Sequence, residues 1–157
     1  AANIDLKGFN EVIYRKCTKG TLPIILKNIL AMQKAHIHLE LTTLIVPDVN
    51  DSEQQLSEMY KWIAHHLGKK QVVHINRFFP YYKSLNKEPT PLKILEHAAE
   101  IAKKHLSFVY LGNIRAEHNT YCPKCNKKLI VRDNYQIINN TSKGKCSCSY
   151  QLPGIWK

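Results

Sequence analysis

The chain has 157 residues, of which 44% are hydrophobic and 22% are charged, and its formal net charge is +11. This composition is that of a globular protein with room for one domain of ordinary size and a small appendage. It excludes low-complexity disorder, and no apolar run approaches the roughly 20 residues of a membrane span. Because no signal-peptide pattern opens the chain, we expect a cytoplasmic protein with no membrane partner.

The positive charge is concentrated at the C-terminal end. From Cys122 onward, seven Lys or Arg residues stand against one acidic residue, which accounts for +6 of the total. Such an excess indicates nucleic-acid binding in some proteins and a solvated lysine-rich surface in others. We favour the solvated surface and keep nucleic-acid binding as the alternative.

Strands and helices alternate along the chain up to about residue 112. The predicted strands cover 3–6, 38–47, 72–79 and 108–111, and the predicted helices cover 10–17, 22–30, 52–67 and 90–102. Asn10 is a candidate cap of the first helix, Ser52 and Gln55 form a capping-box pattern, and Thr90 precedes a proline as an N-cap residue would. The order β-α-β-α-β-α-β predicts an α/β fold with about four parallel strands.

One face of this sheet is predicted to be polar. His38, Glu40 and Thr42 alternate with Leu39, Leu41 and Thr43, and strand side chains point alternately to opposite faces. The same alternation sets His74 and Asn76 against Val73 and Ile75, and Asn3 and Asp5 against Ile4 and Leu6. Doubly wound parallel strands are usually apolar on both faces. The pattern therefore favours a barrel or half-barrel with a polar interior, the alternative being a sheet with a few satisfied polar residues.

Ligands of parallel sheets bind at the carboxyl ends of the strands. All four predicted strand ends here are polar or contain glycine. We therefore expect one group of side chains around a common mouth: Asp5, Lys7, Asn50, Asp51, Arg77 and Asn113.

Four of the five cysteines form two close pairs near the C-terminus, Cys122 with Cys125 and Cys146 with Cys148. In a chain without a secretory signal, this pairing predicts a structural zinc site rather than disulfides. The second pair has one intervening residue instead of two, so its turn must be tighter. Reduced thiols without metal are the alternative, and His118 is a candidate substitute ligand. The strands of the zinc ribbon are predicted at 128–131 and 135–138, and Asn126 is expected to adopt a left-handed conformation.

Several segments together resemble a known family. They are Asn3-Ile4-Asp5-Leu6-Lys7-Gly8-Phe9, Thr42-Thr43-Leu44-Ile45-Val46-Pro47 with Asn50-Asp51, Arg77-Phe78-Phe79-Pro80, Gly112-Asn113, Asn119-Thr120-Tyr121-Cys122-Pro123 and Pro153-Gly154-Ile155-Trp156. The first three resemble radical S-adenosylmethionine enzymes of activating type. The whole set resembles the radical enzymes of the AmmeMemoRadiSam system, relatives of the glycyl-radical (pyruvate formate-lyase) activating enzymes.

The resemblance implies a partial (β/α)₆ barrel that contains a [4Fe-4S] cluster and S-adenosylmethionine. Reductive cleavage of that cofactor gives a 5′-deoxyadenosyl radical, which abstracts hydrogen from a substrate. By the same resemblance, Asp5 and Lys7 lie near the methionine end of the cofactor. Thr42, Asn50 and Asp51 lie near its ribose, and Asn113 with its preceding glycine lies near its adenine. Where the family often has a histidine, within 79–82, this chain has none, so no role is carried over there.

The chain covers only the C-terminal half of the family's pattern, since the three-cysteine cluster motif is absent and Cys17 stands alone. We therefore expect residues 1–116 to be a partial barrel and 117–157 a zinc-ribbon tail of a longer enzyme. The chain alone is expected to be inactive and to self-associate through its exposed first strand. The expected partners are the missing half of the barrel, a reductant and a substrate that is not identified and could be a protein. A tail that docks a protein substrate is a further alternative.

Overall fold

The structure, a computed structural model, describes residues 1–115, 118–133 and 136–156. The chain divides into two compact units, Ala1–Ile114 and Arg115–Lys157, and each is described by itself. The predicted domain boundary, between Ala116 and Glu117, lies outside the described residues. Among the helices of the described part, none is long and apolar enough to cross a membrane.

The first unit is an α/β structure built on one parallel sheet. Its four strands are parallel, as predicted from the alternation of strands and helices, and they pair in the order β1-β2-β3-β4. The strands are β1 (Ala2–Asp5), β2 (Leu39–Ile45), β3 (Val72–Arg77) and β4 (Phe108–Gly112). The helices are α1 (Glu11–Thr18), α2 (Leu22–Lys34), α3 (Glu53–Leu67) and α4 (Leu92–Lys103), with one 3₁₀ turn at Tyr82–Ser84. The predicted fold class is confirmed, and β1 forms one edge of the sheet.

Two helix starts follow the predicted capping chemistry. Asn10 Oδ1 accepts a hydrogen bond from the Ile13 amide at 3.1 Å, and Ser52 Oγ accepts one from the Gln55 amide at 3.4 Å. The capping box is only half formed, because Gln55 Oε1 is buried without a hydrogen-bond partner in the described part of the chain. The side-chain cap therefore comes from Ser52 alone.

The predicted N-cap at Thr90 is wrong. Pro91 occupies the N-cap position of α4 and makes no side-chain cap. The Thr90 hydroxyl is fully buried; it donates to the Ile45 carbonyl at 2.6 Å and accepts from the Phe78 amide at 3.2 Å. Thr90 thus ties the ends of two strands together, because their freed backbone groups need partners when they are buried.

One face of the sheet carries the core. Burial alternates along β2, where Leu39, Leu41, Thr43 and Ile45 are buried. Leu39, Leu41 and Ile45 form one apolar cluster with Val73, Ile75 and buried side chains of the four helices. Full burial of each such aliphatic side chain contributes about 1.5–3 kcal/mol.

The opposite face is left partly open. The side chains of His38, Glu40 and His74 keep 26%, 33% and 31% of their surface exposed, so α2 does not cover them. The register places three apolar residues on this face as well, namely Leu44, Val72 and Phe108. The predicted polar face is therefore mixed: Asp5, Thr42, His74 and Tyr110 form a polar row across it, whereas Leu44 lies beside Asn76, and Val72 and Phe108 continue the row of Glu40.

The second unit is a three-stranded antiparallel sheet in the order β5-β6-β7. Its strands are β5 (Thr120–Tyr121), β6 (Lys128–Asp133) and β7 (Gln136–Asn139). The predicted hairpin is present: β6 extends two residues beyond the predicted strand, and β7 has the predicted four residues but ends one residue later. Tyr135, the first residue of the predicted second strand, lies outside the described residues, and β5 was not predicted. The Arg132 guanidinium fixes β5 by donating to the His118 carbonyl at 2.8 Å and to Thr120 Oγ1 at 2.9 Å.

Candidate functional site

Three register rows organise the open face of the four-stranded sheet. The middle row crosses all four strands and contains Asp5, Thr42, His74 and Tyr110. The row toward the amino ends of the strands contains Asn3, Glu40, Val72 and Phe108, and the row toward the carboxyl ends contains Leu44, Asn76 and Gly112. Carboxylate, hydroxyl, imidazole and phenol groups are therefore neighbours on one surface.

Asp5 and Lys7 are adjacent at the carboxyl end of β1. Lys7 Nζ donates to Asp5 Oδ2 at 2.5 Å, and their side chains are 41% and 53% exposed in that order. An exposed ion pair of this kind contributes little stability, typically 0–1 kcal/mol. Both groups can therefore exchange their mutual contact for a charged ligand at small cost.

Asn50 and Asp51, which were predicted to act together, differ in structure. Asn50 is 3% exposed, and its amide nitrogen donates to the Lys7 and Leu44 carbonyls at 2.8 Å each. Its Oδ1 accepts from the Val46 amide at 2.7 Å. Asn50 thus fastens the loop after β1 to the end of β2, whereas Asp51 remains half-buried beside it.

Asn113 follows β4 in a left-handed conformation with φ of 58° and is exposed. Its amide donates to the Arg77 carbonyl at 3.0 Å, which links the ends of β3 and β4. At Gly112 an added Cβ would lie 2.0 Å from Asn76 Oδ1. Glycine at this position therefore leaves room for Asn76 on the open face.

Arg77 belongs to the same edge, but its guanidinium is engaged within the protein. Its Nε donates to the Thr90 carbonyl at 2.7 Å, and the guanidinium carbon lies 4.8 Å from the ring centre of Phe79. The structure thus brings all six predicted side chains to one edge of the sheet, and it uses Asn50 and Arg77 as supports for that edge.

Glu40 contacts two histidines on the predicted polar face, and these contacts were not predicted from the sequence. Glu40 Oε2 lies 2.7 Å from His74 Nε2, and Glu40 Oε1 lies 3.5 Å from His38 Nε2. The Tyr110 ring stacks on His74 with 5.7 Å between ring centres. Alternation placed these residues on one face, but the pairing depends on the register of β2 against β3.

The four C-terminal cysteines form a group suited to a metal ion. Their Sγ atoms all lie within 4.8 Å of one another, with 3.5 Å between Cys122 and Cys148 and 3.6 Å between Cys125 and Cys146. These distances exclude disulfides, whose sulfurs lie about 2.05 Å apart. They are close to the separation of about 3.8 Å that four thiolates have around a tetrahedral zinc ion. His118 is not part of the group among the described residues.

The turns that carry the cysteines use left-handed residues. Asn126 has φ of 57°, as predicted, and Ser149 has φ of 68° after the shorter second pair. A hydrogen bond from the Cys148 amide lowers the pKa of the Cys146 thiol to about 6. Backbone amides directed at sulfur favour the thiolate, which is the form that binds metal.

Gly144→Ala is expected to displace Trp156 from the chain segment beside the cysteines. Gly144 has φ of 74°, and an added Cβ would lie 2.3–2.5 Å from the indole ring. The backbone strain contributes about 1 kcal/mol, and the clash adds to it, so we expect a lower melting temperature and altered tryptophan fluorescence. Gly68→Ala is the matched control, because Gly68 has φ of 89° with nothing within 4 Å. An unchanged fluorescence spectrum in Gly144→Ala would contradict this packing.

Comparison with known proteins places this geometry in context. No known protein family's profile matches the chain. An uncharacterized protein of Methanocaldococcus jannaschii is 40% identical over an alignment of 144 residues, which covers 88% of this chain and 43% of that protein. The chain thus spans less than half the length of this relative.

The fold is similar to a domain of pyruvate-formate lyase-activating enzyme from Bacteroides vulgatus. The TM-score is 0.60 at 17% sequence identity, and the match covers 71% of this chain and 66% of that one. At this identity the similarity establishes the fold. The chain therefore shares the fold of that domain over 71% of its length, and it also carries a four-cysteine metal-binding group.

Proposed function

We propose that this chain is part of a radical S-adenosylmethionine enzyme related to the glycyl-radical activating enzymes, and that its sheet forms one side of a (β/α)₆ barrel. The observation that carries the proposal is the fold shared with the activating-enzyme domain over 71% of the chain. The open polar face supports it, because the inner face of such a barrel holds the site. The assignment to the AmmeMemoRadiSam system rests on the sequence segments alone.

The residues at the carboxyl edge suit S-adenosylmethionine. Asp5 and Lys7 offer opposite, accessible charges to its zwitterionic methionine end. Thr42 and Asp51 are half-buried groups for the ribose, and exposed Asn113 would meet the adenine. Asn50 holds the loop that presents Lys7, so we assign it a positioning role in place of direct contact. Reductive cleavage of the bound cofactor supplies the group that abstracts hydrogen from a substrate.

The [4Fe-4S] cluster does not fit the cysteines of this chain. Such a cluster needs three thiolates on one loop beside the cofactor. Four of the five cysteines belong to the C-terminal group, and Cys17 lies exposed on α1. The parent enzyme would therefore hold its cluster through residues outside these 157. A reductant and the substrate are its further proposed partners.

For the tail we propose a structural zinc site. Four thiolates in tetrahedral arrangement are typical of zinc ribbons, which stabilise small sheets. The net charge of +6 from Cys122 onward favours a second candidate function, phosphate contacts to nucleic acid. Measuring duplex binding over a range of salt concentrations separates the two, since phosphate contacts weaken steeply as salt rises.

Binding of S-adenosylmethionine to this chain tests the proposed cofactor site. Equilibrium dialysis with labelled cofactor is expected to detect saturable binding. Asp5→Asn should weaken it by roughly tenfold, because a charge-assisted hydrogen bond contributes about 1.5–3 kcal/mol. Glu96→Gln, an exposed acidic residue on α4, is the control and should change nothing. Equal affinity in Asp5→Asn and the unaltered chain would reject the site.

A further inference from the structure

Two neighbouring side chains on the open face both direct their hydrogens away from the surface between them. Thr42 of β2 and His74 of β3 are register partners, and adjacent strands lie about 4.8 Å apart. Thr42 Oγ1 donates its one hydrogen to Asn3 Oδ1 at 2.8 Å. The remaining capacity of this hydroxyl is therefore to accept.

The imidazole of His74 is likewise left with only an acceptor. Its Nε2 lies 2.7 Å from Glu40 Oε2, and an ionised carboxylate only accepts hydrogen bonds. Nε2 therefore carries the hydrogen, and in the neutral ring Nδ1 is left with a lone pair. No described residue donates to Nδ1. Thr42 and His74 consequently offer two adjacent acceptors, which a ligand with two N–H hydrogens would satisfy.

Glu40 contributes a negative charge to this part of the face. Glu40 contacts His74 and, at 3.5 Å, His38, and no Lys or Arg in the described part of the chain forms an ion pair with it. The other carboxylate on the face, Asp5, already has Lys7 as its partner. Glu40 is 33% exposed, so a cation on this surface would gain from its charge and an anion would be repelled.

Aromatic surface adjoins the same place. The ring of Tyr110 stacks on His74 at an interplanar angle of 27°. Planar guanidinium groups and ammonium groups bind favourably over such rings. Acceptors, negative charge and a ring face thus point to the same class of ligand.

We propose that Thr42, His74 and Glu40 form a subsite for a primary ammonium or guanidinium group of the substrate. Thr42 Oγ1 has two lone pairs, so it can accept from this group as well as from the ribose hydroxyl assigned to it above. Calling the ligand a substrate rests on the proposed function, because the subsite lies in the same row as Asp5, the residue assigned to the cofactor. The substrate class is then an amine or guanidine, such as the side chain of a lysine or arginine in a peptide. His74 accepts from the bound group through Nδ1, and Glu40 positions the ring and offsets the positive charge.

The test uses the whole chain with histidine rings labelled with nitrogen-15. Ethylammonium and methylguanidinium serve as cationic probes, and acetate serves as the anionic probe. Without probe, His74 is expected in the tautomer with hydrogen on Nε2. The cationic probes should shift its Nδ1 signal saturably, whereas acetate should not, and the signals of His97 on α4 should not respond to either. A hydrogen on Nδ1, or an equal response to acetate, would overturn the proposal.

Variants identify the groups responsible. Glu40→Gln should weaken binding of both cations by roughly tenfold, since the carboxylate that offsets their positive charge is lost, and Thr42→Val should weaken it several-fold. Glu53→Gln is the control: Glu53 is an exposed acid 3.7 Å from His97, and its change should leave probe binding unaltered. Unaltered binding in Glu40→Gln and Thr42→Val would reject the subsite. If one of the two variants is unstable, unaltered binding in the other is enough to reject it.

The subsite and the proposed function fail in different ways. Probe binding needs neither the iron–sulfur cluster nor S-adenosylmethionine. Cation binding that depends on Glu40 in a protein that binds no S-adenosylmethionine would retain the subsite and remove the enzyme assignment. Cofactor binding without any response of His74 to the cations would do the reverse.

Discussion

Cys122→Ser is expected to abolish stoichiometric zinc binding and to unfold the second unit. Cys122 is 1% exposed, and the apolar side chains buried in the described part of this unit are few, chiefly Leu129 and Leu152 with the cysteines. Segments of about 40 residues rarely fold on hydrophobic burial alone and usually need a metal or disulfides. Structural zinc contributes about 10–16 kcal/mol of apparent binding energy in such units. The free energy lost when one of the four ligands is removed should therefore be larger than the stabilisation that the small apolar core provides.

Metal analysis and amide NMR measure both effects. Protein purified without added metal should contain one zinc per chain, and removal of zinc by a strong chelator should collapse the dispersed amide signals of β6 and β7. Cys17→Ser is the matched control, because Cys17 is an exposed cysteine on α1 outside the group. One zinc per chain in Cys122→Ser, with the signals of β6 and β7 still dispersed, would show that the four-thiolate assignment is wrong.

The sequence predicted those features of the fold that depend on local periodicity. Alternation along 38–45 identified both faces of β2, because a strand places successive side chains on opposite sides. Capping by Asn10 and Ser52 was also predictable, because the side chain of a cap accepts a hydrogen bond from an amide only three residues away. The left-handed Asn126 followed from the spacing of the first cysteine pair.

Partners distant in sequence were not predictable. Thr90 has the pattern of an N-cap, but its hydroxyl bonds the Ile45 carbonyl, 45 residues earlier. In the sequence Asn50 is an ordinary loop residue, yet its side-chain amide is hydrogen-bonded to backbone groups as far away in sequence as Lys7. The contact between Glu40 and His74 exists only because β2 and β3 pair with Glu40 opposite Val72. These bonds depend on how the strands are aligned and how the loops close, and neither can be read from the local pattern of a single sequence.

The 157-residue chain alone is expected to produce no 5′-deoxyadenosine from S-adenosylmethionine under reducing conditions. Reductive cleavage needs a [4Fe-4S] cluster with one open iron, held by three thiolates on one loop. Of the five cysteines, four lie within 4.8 Å of one another in the second unit, and Cys17 is single and exposed. Even if Cys17 bound iron, two further thiolates would be lacking.

The decisive measurement is anaerobic reconstitution with iron and sulfide, followed by dithionite and S-adenosylmethionine. The chain alone should match the background of dithionite without protein, whereas a longer form of the protein that carries a three-cysteine motif should generate product. In that longer form, Asp5→Ala should lower the rate by about tenfold or more, because Asp5 is the charged group assigned to the cofactor and such contacts contribute about 1.5–3 kcal/mol. Cys17→Ser should leave it unchanged, since a lone thiol on α1 holds no cluster. Product from the 157-residue chain alone would mean that its own cysteines assemble a working cluster, and the assignment of four of them to zinc would fall with the prediction.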